Sequence, residues 1–289
     1  MSTVAKQIII DKDAFIASSG RKFKVLCDLC RQGSVLLSDT LLYECATATK
    51  QNPGTLLQKL EDLIKLGAHY CSMSKRFVQW EAWYCRPYPR TLADMETTHG
   101  IRSGNASLRA LLASDLPEHF RCSRTQVADS MLAQFSANIK SDIDSRVENL
   151  HGDVKRIPNS LPERMRYWLD HIDKMEIHAM ALNAFPSGWI RVKGEFCLSP
   201  SWITWQCLRL VMITVYEHWY IRETGHPRDR WAEHDLADIE HVLLLSRANG
   251  IITRDKRLRT LASVAFPEKD VFSSLDEVPA SYRCDWGEG

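Results

Sequence analysis

Two short apolar runs that each lead into an acid constrain this chain more than any other feature. They are Ile8-Ile9-Ile10-Asp11 near its beginning and Ile251-Ile252-Thr253-Arg254-Asp255 near its end. Each run is too short for a helix and apolar on both faces, as a strand buried on both sides of a sheet must be. Further short strands are expected over 34–37, 68–73 and 270–273. Helical periodicity lies between them, over 13–19, 21–32, 38–49, 55–66, 231–249 and 256–265. Gly33, Asn52-Pro53-Gly54, Gly67 and Asn249-Gly250 supply the stops. Alternation of strand and helix at both ends argues for a parallel sheet. In such sheets the carboxyl ends of the strands line the ligand crevice, so Asp11 and Asp255 are expected on one rim.

The middle of the chain is different. Its periodicity is mostly helical, over 107–113, 125–150, 162–185 and 201–223, with no internal repeat. The simplest architecture is one discontinuous α/β domain, 1–75 plus 231–289, with a helical insertion over 76–230. The 37 basic and 36 acidic residues leave a net charge of +1. No global field is available to grip nucleic acid, so any such contact must come from a local patch. There is no apolar run of about 18 residues to span a membrane and no leader-like apolar stretch at the start. Nine scattered cysteines fit reduced thiols in a cytoplasmic setting, and the Cys27–Cys30 pair has no second pair to complete a zinc site.

More acids accompany the two strand ends. Glu44 interrupts an otherwise apolar helix, Leu41-Leu42-Tyr43-Glu44-Cys45-Ala46. Asp235 and Asp238 lie one turn apart on a later helix and share a face, while Glu240 points away into solvent. Asp13 follows Asp11 by two positions. Carboxylates about 5 Å apart repel by roughly 3 kcal/mol per pair at an effective dielectric near 20, so gathering them calls for a cation or for protonation. All-oxygen donors select hard ions such as Mg²⁺ or Mn²⁺, which activate water and stabilise charge on a phosphoryl group. Each acid also has a plain structural reading. Asp11, Asp13 and Asp255 would cap helices, Asp235 and Asp238 would sit at a helix N-terminus, and Glu44 would be solvated. Thr253 either orients a water or phosphate or is simply a strand residue.

The order of these residues resembles the PIN-domain nucleases. Ile-Ile-Ile-Asp11-Lys-Asp-Ala-Phe-Ile is similar to the opening strand, acid and helix of that family. Ser-Asp-Thr-Leu-Leu-Tyr-Glu44 looks like its helix-borne Glu. Asp235-Leu-Ala-Asp238-Ile-Glu-His, followed by Asn-Gly-Ile-Ile-Thr-Arg-Asp255-Lys-Arg-Leu, looks like its late helix and last catalytic strand. The resemblance covers the two ends of the chain and not the middle. It implies a three-layer α/β/α sandwich with a short, mostly parallel sheet. It also implies a Mg²⁺- or Mn²⁺-dependent ribonuclease acting on single-stranded RNA, either a toxin with an antitoxin partner or an RNA-processing enzyme. Asp11, Glu44, Asp238 and Asp255 would be catalytic and hold the metal with Asp235, and Asp13 and Thr253 would stand behind them.

Two groups are candidates for the RNA chain. Lys75, Arg76, Arg86 and Arg90 interleave with Trp80, Trp83, Tyr84 and Tyr88, and Arg254, Lys256, Arg257 and Arg259 crowd around Asp255. Cations offset phosphate and aromatics stack on bases. Both groups have plain readings, a core-docked aromatic face and a solvated helix. The apolar stretch 202–220 is insertion core or else a partner or homodimer surface. Two other readings remain. One is a haloacid-dehalogenase-like phosphatase, with Asp11 as nucleophile and Asp13 as general acid. The other is an inactive PIN-like module that binds or regulates.

Overall fold

The computed structural model describes residues 6–48, 50–72, 74–84, 86–89, 91–114, 156–172, 199–224 and 233–282. The helix expected over 125–150, and the part of the next one beyond residue 172, lie outside them.

Five strands form one parallel sheet: β1 (Ile8–Ile10), β2 (Val35–Ser38), β3 (His69–Cys71), β4 (Gly250–Ile252) and β5 (Asp270–Phe272). Their order is β3-β2-β1-β4-β5, so the two diagnostic apolar runs are neighbours at the centre. Ile8, Ile9 and Ile10 are all fully buried. Their side chains alternate across the pleat: Ile8 and Ile10 enter one hydrophobic core and Ile9 the other. A strand with helices on both faces has no solvent side, which is why the run is continuous rather than alternating.

The first core is covered by the N-terminal helices α1 (Lys12–Ile16), α2 (Gly20–Arg31), α3 (Asp39–Ala46) and α4 (Pro53–Leu66). Asp11, not a later residue, caps α1, so this helix starts and ends earlier than the expected 13–19. Gly67 ends α4 at φ +138°, and a Cβ there would stand 2.3 Å from the Cys30 carbonyl oxygen. Cys27 and Cys30 lie on α2 as free thiols, and burial pushes both pKa values up, as packed side chains require.

Two helices follow β3: α5 (Ser74–Tyr84), within the 75–90 stretch that the plain reading made a core-docked helix, and α6 (Met95–Arg102), which the sequence reading lacked. The second has few apolar residues to betray it, and is nucleated by Asp94, whose Oδ1 accepts from Thr97 N at 3.0 Å. After α7 (Leu108–Ser114), the insertion contributes α8 (Leu161–His171) and α9 (Ile203–Thr224). These helices complete the second face of the sheet together with α10 (Glu233–Leu245) and α11 (Lys256–Ala265). Trp168, Trp202, Tyr216 and Tyr220 share a core with Ile9, Leu36 and Ile251. The stretch 202–220 is therefore core. Buried Glu81 on α5 anchors it, accepting from Ile203 N and Thr204 N at 2.9 and 2.8 Å at the start of α9. A buried ion pair, Arg164 Nε to Glu217 Oε2 at 2.7 Å, joins α8 to α9. Among the described residues, no helix is long and apolar enough to cross a membrane.

Candidate active site

Register places the site. Ile10 pairs with Ile252, so the next residues, Asp11 and Thr253, emerge side by side at the carboxyl end of the sheet. Asp11 N donates to the Ile252 carbonyl at 3.1 Å. Its Oδ1 accepts from Ala14 N at 2.7 Å, and its Oδ2 accepts from the Thr253 hydroxyl. Thr253 Oγ1 in turn accepts from Asp255 N at 3.1 Å. The Thr253 hydroxyl, one residue past β4, thus links the Asp11 carboxylate to the Asp255 backbone. Asp11 is only 5% exposed, and burial pushes its carboxyl above the usual carboxylate range against the pull of Thr253 and Ala14.

Glu44 reaches the same rim from α3, whose start is fixed by Ser38 Oγ accepting from Leu41 N at 3.1 Å. It is not solvated. Its Oε1 stands 3.4 Å from Lys12 Nζ, and its Oε2 3.4 Å from His241 Nε2. Burial works to raise Glu44, but the His241 hydrogen bond and charge, with Lys12, outweigh it and hold the carboxyl below its usual value. The imidazole responds in kind. Burial works to lower His241, and Glu44, Asp11 and Asp238 together hold it above its usual value. His241 is 1% exposed, and its Nδ1 has no hydrogen-bond partner among the described residues.

The structure therefore brings Asp11, Glu44 and Asp238 near His241, with Thr253 bonded to Asp11. Asp238 is half-buried on α10, in a narrow crevice it shares with Met165, Glu217 and Arg257. Asp255 joins through its backbone. Its side chain is turned to cap α11, accepting from Leu258 N at 2.8 Å, and is exposed. Asp13 is exposed in the first turn of α1 and acts on Asp11 through charge alone. The side chains of Asp235 and Lys75 lie outside the described residues. Glu240, expected in solvent, is half-buried, and its charge adds to the burial that pushes up the Cys71 and Cys207 thiols.

Of the residues proposed to meet RNA, Arg76 is exposed, with Nη1 3.3 Å from Ser72 Oγ. Trp80 is half-buried and packs against exposed Tyr84, ring centroids 4.6 Å apart and planes tilted by 36°, and Arg86 lies over Trp80 at 5.3 Å. Arg254 and Lys256 are exposed beside Asp255, and Arg257 is half-buried. Lys12 and His241 are the residues that sequence reasoning missed. Both signals were present: Lys12 follows Asp11 directly, and His241 sits one turn beyond Asp238.

The donors suit a hard divalent ion in kind, being carboxylate oxygens on one rim. They also suit it in charge, because the cluster already draws the Lys12 ammonium to itself. In arrangement the described side chains do not close around a point: no three His, Cys, Asp or Glu residues among them are gathered to hold an ion. Lys12 and His241 stand against the two Glu44 oxygens instead, and an ion would need Glu44 released from Lys12. Comparison with protein-family models, curated proteins and solved structures finds no match.

Proposed function

We propose that the chain is a metal-dependent phosphodiesterase that cuts single-stranded RNA, built on a PIN-like sheet. The observation that carries this reading is the meeting of Asp11 and Thr253, 242 positions apart in sequence, within one cluster that also includes Glu44 and Asp238. The strand order β3-β2-β1-β4-β5 supports it, because it puts acids from both ends of the chain at the carboxyl rim where parallel sheets bind ligands. On this reading Asp11, Glu44, Asp238 and Asp255 would hold Mg²⁺ or Mn²⁺, with Asp235 as a further donor, only after Glu44 leaves Lys12 and Asp255 leaves its cap. The ion would supply a more acidic water and charge stabilisation at phosphorus. The chain's own residues do the rest. Thr253 fixes the Asp11 carboxylate, His241 fixes Glu44, and Arg254, Lys256 and the Arg86–Trp80–Tyr84 cluster offer charge and aromatic faces to an RNA strand. An antitoxin or other regulatory partner, and a homodimer, belong to this reading as further expectations.

Cleavage of end-labelled single-stranded RNA with Mn²⁺ tests it, comparing the wild type with Asp11→Asn and Glu44→Gln. Cutting by the wild type alone is the expected result. Asp11→Asn retains a good helix cap and removes a buried charge, so its melting temperature should equal or exceed that of the wild type. Phosphate release from small phosphoesters without RNA cleavage would instead make Asp11 a phosphatase nucleophile. Neither activity would leave a binding module.

A further inference from the structure

A half-buried ammonium stands in an open cavity outside the first core, and it is held by neutral groups. Lys59 on α4 donates from Nζ to the Ser18 carbonyl and hydroxyl, at 2.9 Å each, and to the Phe15 carbonyl at 3.3 Å. The same nitrogen lies 4.6 and 4.7 Å from the ring centroids of Phe15 and Phe23. Among the described residues all of these partners are uncharged, and burial holds the amine below the usual lysine value. A charge withdrawn from water calls for an opposite charge, and this one has none beside it.

The cavity measures about 730 Å³, within the roughly 300–1,000 Å³ of small-molecule sites. Its walls are the starts of α2 and α4. These helices lead into the parallel neighbours β2 and β3, so both run back from the carboxyl side of the sheet and begin at the same end of the molecule. Ser19, ahead of α2, makes no side-chain cap, and a Cβ on Gly20 would meet no atom within 4 Å. From α7, exposed Arg109 reaches across the mouth, where a Cβ on Gly54 would stand 3.2 Å from its Nη2. Asp62, on the same wall as Lys59, is turned to Gln58 and accepts from its Nε2 at 3.0 Å.

We propose that this cavity binds the phosphate of a nucleotide, free or at the end of an RNA strand, between Lys59 and Arg109. The inference does not depend on any ion at the rim. The phosphate takes the N–H that Lys59 spends on its longest contact, to Phe15, and supplies the missing negative charge. The Arg109 guanidinium meets it as a fork, and two helix N-termini add their partial positive charge. A phosphate alone would leave most of the space empty. The Phe23 ring lines the remainder, with the Asn52 amide nitrogen and the Gln58 amide oxygen, whose partner atoms are already bonded to Gly54 and Asp62. An aromatic face beside an amide donor and an amide acceptor is the chemistry that holds a base.

Calorimetry on the full chain tests it, with a chelator present so that neither metal nor cleavage enters. The probes are inorganic phosphate, adenosine, adenosine monophosphate, and a short RNA with or without a terminal phosphate. The wild type should bind adenosine monophosphate more tightly than either phosphate or adenosine. Arg109→Glu and Lys59→Gln should each lose about tenfold or more in that affinity, the worth of one hydrogen bond to a charged group. Acetylation of Lys59 in the wild type, mapped by mass spectrometry, should slow severalfold when the nucleotide is bound. Arg109 is exposed, so Arg109→Glu keeps the test sharp even where Lys59→Gln loosens α1. Tighter binding of the phosphorylated RNA names a strand end as the source, and tighter binding of the mononucleotide names a free nucleotide. Absence of binding by every phosphorylated probe overturns the proposal. So does adenosine binding as tightly as its monophosphate, or equal affinity in the wild type and both variants. Lys59 is then only the clasp between α4 and the end of α1.

Discussion

His241 and Glu44 hold each other's charge in a place where burial opposes both. The consequence for stability has a defined sign. Glu44 has a depressed pKa in the folded chain, so its contribution is present above its unfolded value near 4.5 and is lost as pH falls through the lowered one. His241 has a raised pKa, so its contribution is complete below about 6.5 and is lost as pH rises through the raised value. The pair therefore favours a window bounded by the two shifted values. In Glu44→Gln the imidazole keeps its burial and loses its main support. Its pKa, read from the imidazole proton resonances, should drop, and the decline in stability above pH 6.5 should flatten. An unchanged His241 pKa in that variant would mean that Asp11 and Asp238 carry the charge balance alone.

Caps decide where the helices at the rim begin, and a cap confounds any test of an acid's chemistry. Asp255 shows how to separate the two roles. Asn is as good a cap as Asp, so Asp255→Asn should unfold at a denaturant midpoint close to that of the wild type. Asp255→Ala should lose about 1 kcal/mol as α11 loses its Leu258 contact. Cleavage lost in both variants assigns the carboxylate to chemistry, whereas cleavage retained in Asp255→Asn leaves it a cap. Strands β1, β2 and β4 were legible at this scale because each carries a short apolar run, Ile8–Ile10, Val35–Leu37 and Ile251–Ile252. Most helices were legible from period and stop signals. The start of α1 was not, because Asp11 and Asp13 are equally good caps in sequence and only the pairing of Ile10 with Ile252 chooses Asp11. Helix α6 was not, because its burial rests on Thr98 and Ile101 alone.

Across the whole molecule, the insertion helices and the sheet are parts of one packing unit. Trp168, fully buried and stacked on Tyr216 with centroids 5.3 Å apart, belongs to the same core as Ile9 and Ile251. Trp168→Ala should cost about 3–5 kcal/mol. That loss should appear equally in tryptophan fluorescence, which has no reporter before Trp80, and in hydrogen exchange of the β1 amides. Separate transitions would make the insertion an independent unit. Its direction of packing was hidden because 203–224 is apolar on every side, and periodicity then points nowhere. The rim itself was legible in Asp11, Glu44 and Asp238, while their counter-charges, Lys12 and His241, depend on contacts between elements. The central pairing of β1 with β4 also orders events in time. A growing chain leaves the ribosome with one edge of Ile8–Ile10 bare, and the threonine that steadies Asp11 arrives 242 positions later. Until then Asp11 stands at the rim without the hydroxyl that holds its Oδ2.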